Sequence, residues 1–291
     1  ELMRKVERGF AEAMDDDLNI GVALAVLFDF VRDMNNLLDA NVVSRDEAKQ
    51  VYALAVGFDK VLGVIGKVEA EAALPKEAEE LLAGGIQVLT SGNHIWKKKE
   101  ILPYLQQNPD LLRPANYPEG TPGKGFVVKE TAGGQRIGVI NLLGRTFMEA
   151  VDCPFRRALE LRDFLVAQTP ILLVDFHAEA TSEKAAMGFF LDGKVSAVFG
   201  THTHIQTSDE KILPQGTAYL TDVGMTGPAD SVIGVKKELA IERFLTQMPK
   251  KFEVARKSLV LEGAVVSVDP KTGKATGITR IREKVSPASE G

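Results

Sequence analysis

All four histidines of this 291-residue chain lie in three short segments: Ser91-Gly92-Asn93-His94, Asp175-Phe176-His177-Ala178-Glu179 and Gly200-Thr201-His202-Thr203-His204. Imidazole nitrogens and the amide oxygen of asparagine both bind divalent transition ions, so Asn93, His94, His177, His202 and His204 have the types a metal centre uses. Each has an ordinary alternative when taken singly. Asn93-His94 reads equally as a turn carrying an exposed ring, and His177 as a hydrogen-bonded interior histidine. His202 and His204 favour a metal more strongly, because two neighbouring imidazoles repel when protonated and an ion holds them neutral. The confinement of every histidine to these segments points to one shared site. The single cysteine, Cys153, has neither a CxxC partner nor a histidine beside it and reads as a packing residue.

The segments must be positioned by something, and each follows a short apolar run: Ile86–Leu89, Ile171–Val174 and Val195–Phe199. With Ile137–Ile140 these have strand length, and they are rich in β-branched residues or bounded by Gly, Pro, Asp and Asn. Helical patterns fall between them, at about 155–167 and 181–191. The alternation predicts an α/β sheet with parallel pairing, in which loops beyond the carboxyl ends of the strands converge on a site. Leu259–Asp269 and Thr276–Glu283, flanking Pro270-Lys271-Thr272-Gly273, predict a closing antiparallel hairpin.

Residues 1–66 have a different period. Leu24, Leu27, Phe28, Val31, Met34 and Leu38 share one helical face, and Ser44 with Glu47 forms a capping-box pattern before a second stripe, Val51, Leu54, Ala55, Phe58, Val61 and Leu62. Two or three antiparallel helices are expected there. The segment holds 7 Lys/Arg against 12 Asp/Glu, which accounts for the whole formal charge of −5. The Asp15–Asp17 run reads as a solvated helix start rather than a metal cluster. A junction at 67–73 and a disordered tail at 285–291 complete the expected organisation, with a helix opened by Pro75 and ended by Gly84-Gly85. No basic stripe supports tight nucleic-acid binding. No apolar run approaches the roughly 18–20 residues that cross a bilayer, and no signal-peptide core follows Glu1-Leu2-Met3, so a cytoplasmic protein is expected.

In order and content, Leu89–Trp96, Asn141–Arg145, Asp152–Phe155, Asp175–Glu179 and Gly200–His204 resemble the YmdB-like metallophosphoesterases, bacterial phosphodiesterases active on cyclic nucleotides, over about residues 74–284. The resemblance implies an α/β sandwich of two sheets flanked by helices, a small phosphodiester substrate, and two divalent transition ions drawn from Fe, Mn or Zn. It implies further that Asn93, His177 and His202 hold one ion, that His204 binds the other, and that His94 protonates the leaving oxygen. Residues 1–66, through Phe10–Asn19 and Ala23–Phe28, are similar to the helical domain that follows the catalytic core of cysteinyl-tRNA synthetases. None of that enzyme's catalytic or zinc-binding motifs is present, so aminoacylation is not implied.

The chain departs from the phosphodiesterase pattern at its start. The family begins with strands ending in Gly-Asp and Gly-Glu-Asn, whose carboxylates bind and bridge the ions, whereas none of the 26 glycines here precedes Asp or Glu. The helical segment stands where those strands would be, and the domain is expected to be an incomplete sandwich. Asp175, Glu179 and Asp222 are the candidate substitutes. The expectation is a metal-dependent phosphodiesterase impaired by missing acidic ligands, holding two ions, one or none. The alternatives are an inert hybrid or a helical RNA-binding or interaction module. Exposed sheet edges left by the missing strands would favour homo-oligomers.

Overall fold

The computed structural model describes residues 2–15, 20–39, 43–62 and 76–285. The chain divides into two compact units, Glu1–Glu71 and Ala72–Gly291. The first is helical: α1 (Leu2–Asp15), α2 (Ile20–Asp39) and α3 (Arg45–Leu62). Val6, Phe10 and Ala13, at helical spacing on α1, close a small core with Ala23, Phe30 and Met34 of α2 and Phe58 of α3. The capping box before α3 forms as expected. The Glu47 carboxylate accepts the Ser44 backbone N–H at 2.9 Å, and the Ser44 hydroxyl accepts the Glu47 N–H at 3.3 Å. The predicted stripe of α2 is only partly the buried one, since Phe28 and Val31 are exposed while Phe30 is buried. The first turns of α2, Ile20–Phe28, are apolar all round, so partners rather than period select the inward face there. Asp16, Asp17, the 67–73 junction and residues 286–291 lie outside the described residues.

The second unit begins with α4 (Lys76–Ala83), β1 (Leu89–Thr90), α5 (Ile101–Gln107) and β2 (Leu111–Leu112). The run from Ile86 therefore contributes only two residues of strand, paired in parallel with β2. The central elements follow: β3 (Phe126–Glu130), β4 (Arg136–Leu143), α6 (Pro154–Leu165), β5 (Leu172–His177), α7 (Thr181–Leu191), β6 (Ala197–Thr201), β7 (Lys211–Ile212) and β8 (Ala218–Leu220). They make a six-stranded sheet of order β3-β4-β5-β6-β8-β7. The inner pairs β4·β5, β5·β6 and β6·β8 are parallel and the outer two antiparallel.

β9 (Gly227–Pro228), α8 (Lys237–Thr246), β10 (Leu259–Val268) and β11 (Ala275–Lys284) complete the chain, with β10 and β11 forming the predicted hairpin. Strand residues alternate between faces. Leu172, Val174 and Phe176 of β5 meet Ala158, Leu161 and Leu165 of α6 and Met187 and Leu191 of α7 in the main core. Leu173, with Ala197 and Phe199 of β6, meets Val266 and Ile278 of the hairpin on the other side. Each fully buried large aliphatic side chain contributes about 1.5–3 kcal/mol of transfer free energy, and this two-faced burial fixes the register of β5 and hence which side Asp175 and His177 take. Among the described residues no helix is long and apolar enough to cross a membrane.

Candidate active site

The first loop is tied down from both sides. The Ser91 hydroxyl donates to the Leu112 carbonyl at 2.8 Å, and the buried Asn141 amide of β4 donates to the Ser91 carbonyl at 2.8 Å. A Cβ at Gly92 would overlap the His177 imidazole, so only glycine lets this loop close over that ring. Asn93 then lies beside His177, its Oδ1 3.2 Å from Nε2.

His177 ends β5, and its register partner across β6 is Thr201. His177 Nδ1 is 3.0 Å from the Thr201 oxygen, and that hydroxyl donates to Asp175 Oδ1 at 2.8 Å. The single hydroxyl proton goes to the carboxylate, so the oxygen accepts from Nδ1–H and the lone pair of His177 resides on Nε2. His202 is oriented in the same manner: its Nε2 lies 3.0 Å from Glu179 Oε2, which leaves Nδ1 to face His177 Nε2 at 3.0 Å. Two acceptors, the Asn93 amide oxygen and His202 Nδ1, thus both crowd the His177 Nε2 lone pair, 3.2 and 3.0 Å from it, with no proton between them. Burial, reinforced by His202 and Lys184, pushes the His177 pKa down to about 3, so protonation does not relieve the crowding at neutral pH. Ligand atoms bound at about 2.0–2.1 Å to one transition ion lie about 3 Å apart, and nitrogen with amide oxygen is a donor set such ions accept. The trio could hold one ion.

His202 and His204 lie on a turning rather than an extended loop. Both have left-handed backbone, φ 102° and 66°, so the chain turns between them. The intervening Thr203 is clamped instead: its N–H and hydroxyl donate to Asp222 Oδ2 at 3.1 and 2.8 Å. The same oxygen accepts the Lys184 ammonium at 2.8 Å, with both side chains almost completely buried. Lys184 reaches it through space that a side chain on Gly200 would fill. His204 donates from Nδ1 to the Ile233 carbonyl at 3.0 Å, leaving Nε2 open. His94 stands near Lys97, 3.3 Å from its ammonium, and burial followed by the Lys97 charge lowers its pKa.

The structure therefore brings Asn93 and His202 against His177 and keeps His94 within electrostatic reach of His177, His202 and His204. Among the described residues no three His, Cys, Asp or Glu side chains gather as a cage; the third donor of the trio is an amide. Asp175, Glu179 and Asp222, the candidate substitute ligands, are each committed elsewhere. Burial raises the Asp175 pKa to about 6, and its accepted hydroxyl bond turns it toward Thr201. Sequence reasoning passed over Thr201, Lys184, Asn141 and Ile233. Asn141 had a readable signal, a polar residue inside the apolar run Ile137–Leu143, whereas Lys184 follows the polar Thr181-Ser182-Glu183 and Ile233 acts through its carbonyl, so neither carries one.

An incomplete α/β sandwich with histidine loops at the carboxyl ends of its parallel strands has the metallophosphoesterase type of fold. Residues 68–281 match the family model of the YmdB-like protein, and residues 9–66 that of the DALR domain. The chain is 52% identical over 201 residues to the 2′,3′-cyclic-nucleotide 2′-phosphodiesterase of Bacillus subtilis (strain 168), covering 69% of this chain and 76% of that one. A solved structure of a novel phosphatase from Mycoplasma pneumoniae superposes with a TM-score of 0.66 at 37% identity, over 72% of this chain and 76% of that one. The cysteine–tRNA ligase of Protochlamydia amoebophila (strain UWE25) is 40% identical over 113 residues, 38% of this chain and 23% of the ligase. The chain belongs to the YmdB-like family.

Proposed function

We propose that this chain is a metal-dependent phosphodiesterase for cyclic nucleotides or related small phosphodiesters, working at low turnover. The observation that carries the reading is the trio in which Asn93 Oδ1 and His202 Nδ1 stand 3.2 and 3.0 Å from His177 Nε2. The activity named for the Bacillus subtilis relative supports the substrate class. In this reading the trio holds one divalent transition ion, Fe, Mn or Zn, and His204 offers Nε2 to a second. Divalent ions bound there supply polarisation of the phosphoryl oxygens and activation of water. Asp175, through Thr201, fixes the His177 tautomer, and Glu179 does the same for His202. His94, its imidazolium made a stronger acid by burial and by Lys97, delivers a proton to the departing ribose oxygen.

Low turnover follows from the ligands. Two divalent ions about 4 Å apart repel by roughly 16 kcal/mol at an effective dielectric of about 20. Neutral imidazoles and an amide offset little of this, and Asp175, Glu179 and Asp222 serve other partners. One ion is therefore held far more tightly than the second. The test is hydrolysis of bis(p-nitrophenyl) phosphate with added manganese, together with metal analysis of the purified chain. Weak or undetectable turnover with about one bound ion is expected, and replacing residues 1–66 by a family-type first segment with Gly-Asp and Gly-Glu-Asn strands should restore rate. Robust turnover by the unmodified chain, abolished by His204→Ala, would refute the ligand deficit. Retained metal content in His177→Ala would refute the site.

A further inference from the structure

Strand β10 is paired along one edge and largely open along the other. β11 pairs with it from Val260 to Val268, whereas β9 reaches only Leu259 and Val260 on the opposite side. Main-chain groups point to alternate edges along such a strand. The Ser258 carbonyl accepts the Ala229 N–H, and the Thr226 hydroxyl accepts from the Glu262 N–H and donates to the Glu262 carbonyl, both at 3.2 Å. The even-numbered residues therefore point away from β11. Ala264 and Val266 turn their N–H and C=O groups to the open edge, where no hydrogen-bonding partner among the described residues meets them. Below this edge, between β10 and the six-stranded sheet, lies a cleft of about 680 Å³. Ile137, Leu173 and Phe199 wall it on one side and Ala264, Val266 and Ile278 on the other, and no ionisable side chain lines it.

We infer that this cleft accepts an extended strand of another polypeptide, which adds to the β10 edge and sets aliphatic side chains at alternate positions over Leu173 and Phe199. The edge itself selects a strand. Unpaired N–H and C=O groups recurring every second residue match the main chain of a neighbouring strand, and an apolar small molecule would leave them unmet. The lack of lining cations removes the attraction that a nucleotide or a phosphate would need. A second copy offering its own β10 would bring an identical cleft and leave both unfilled, because Val266 already packs toward its own six-stranded sheet. The sequence agrees with an open place here, since the strands that begin the family pattern are absent from this chain.

The test uses the full chain and a fluorescein-labelled peptide of alternating valine and threonine, about six residues long between terminal lysines, followed by anisotropy and amide hydrogen exchange. The peptide should bind saturably and slow exchange at Ala264 and Val266 at least about tenfold. Methylating alternate amides, at valine in one peptide and at threonine in another, removes the donors of one edge at a time. One of these two should bind at least about tenfold more weakly. Ala264→Pro deletes an outward N–H without touching the ladder to β11, a place where proline is tolerated, and Leu173→Phe fills the cleft from the opposite wall. Each should weaken the parent peptide at least tenfold while circular dichroism and the thermal transition remain those of the folded chain. Absence of binding by the wild type would overturn the proposal. Equal binding of both methylated peptides would overturn it in favour of a general apolar pocket, and protection of Ala264 and Val266 that rises with chain concentration alone would do so in favour of a second copy.

Discussion

Removing the Lys184 ammonium tests what holds the histidine loop. Lys184 and Asp222 form an ion pair that is 1% and 0% exposed. Asp222 Oδ2 also accepts the two Thr203 donors, and Oδ1 accepts the Gly224 N–H at 3.0 Å. Lys184→Met keeps the aliphatic stem and deletes the charge, leaving a buried carboxylate with neutral donors alone. Breaking a buried pair from one side costs about 3–5 kcal/mol. For a unit of this size about 2–4 °C of melting temperature accompanies each kcal/mol, so a fall of roughly 6–20 °C is expected by calorimetry on the metal-free full chain. Adding Asp222→Asn removes the stranded charge and should recover about 1–3 kcal/mol, a coupling read from the double-mutant cycle. The loop should loosen as well, because the clamp on Thr203 holds His202 and His204 in backbone regions costing about 1–3 kcal/mol each. A Lys184→Met chain within about 1 kcal/mol of wild type would show that the pair is not the anchor.

Three further outcomes follow. His177→Ala should lower transition-metal affinity at least about tenfold by calorimetric titration, since it deletes the donor central to the trio. Gly92→Ala drives a methyl group into the His177 ring; it should cost about 1–3 kcal/mol in urea unfolding and weaken metal binding in parallel, and a silent substitution would mean the loop moves freely. Asp175, raised to about 6 by burial, holds a proton in the folded chain that the unfolded chain has already released. Its contribution to stability is full below about pH 4 and falls as pH rises to about 6. The stability of Asp175→Asn relative to wild type should therefore climb across that window in urea titrations, and a flat difference would contradict the assignment.

The strands were legible where burial on two faces forces an apolar run, as in Ile137–Ile140, which falls inside β4, and Ile171–Val174, of which Leu172–Val174 begin β5. The run from Ile86 had the same look and yields only Leu89–Thr90, because strand formation also needs a partner and β1 pairs with β2 alone. The hairpin and the Ser44 capping box were readable because their determinants lie within a few residues of one another.

By itself the sequence determined the α/β class, the helical character of residues 1–66, the family, and the three loops in which metal-binding side chains could lie. The class, the helical character and the loops rest on composition or local spacing, and the family rests on the resemblance of the motif segments. Only the tertiary structure decided which donors meet. His177 touches Asn93, 84 positions away, and His202, 25 away, while Thr203 and Lys184 meet at an Asp222 that no local pattern links to them. Such contacts are fixed by strand order and by the packing of α7 against the sheet, and neither is written in the neighbourhood of any one residue. The backbone turn at His202 and His204 belongs to the same class: two histidines at i and i+2 would share a side in an extended strand, and here both have left-handed backbone while Asp222 clamps the residue between them.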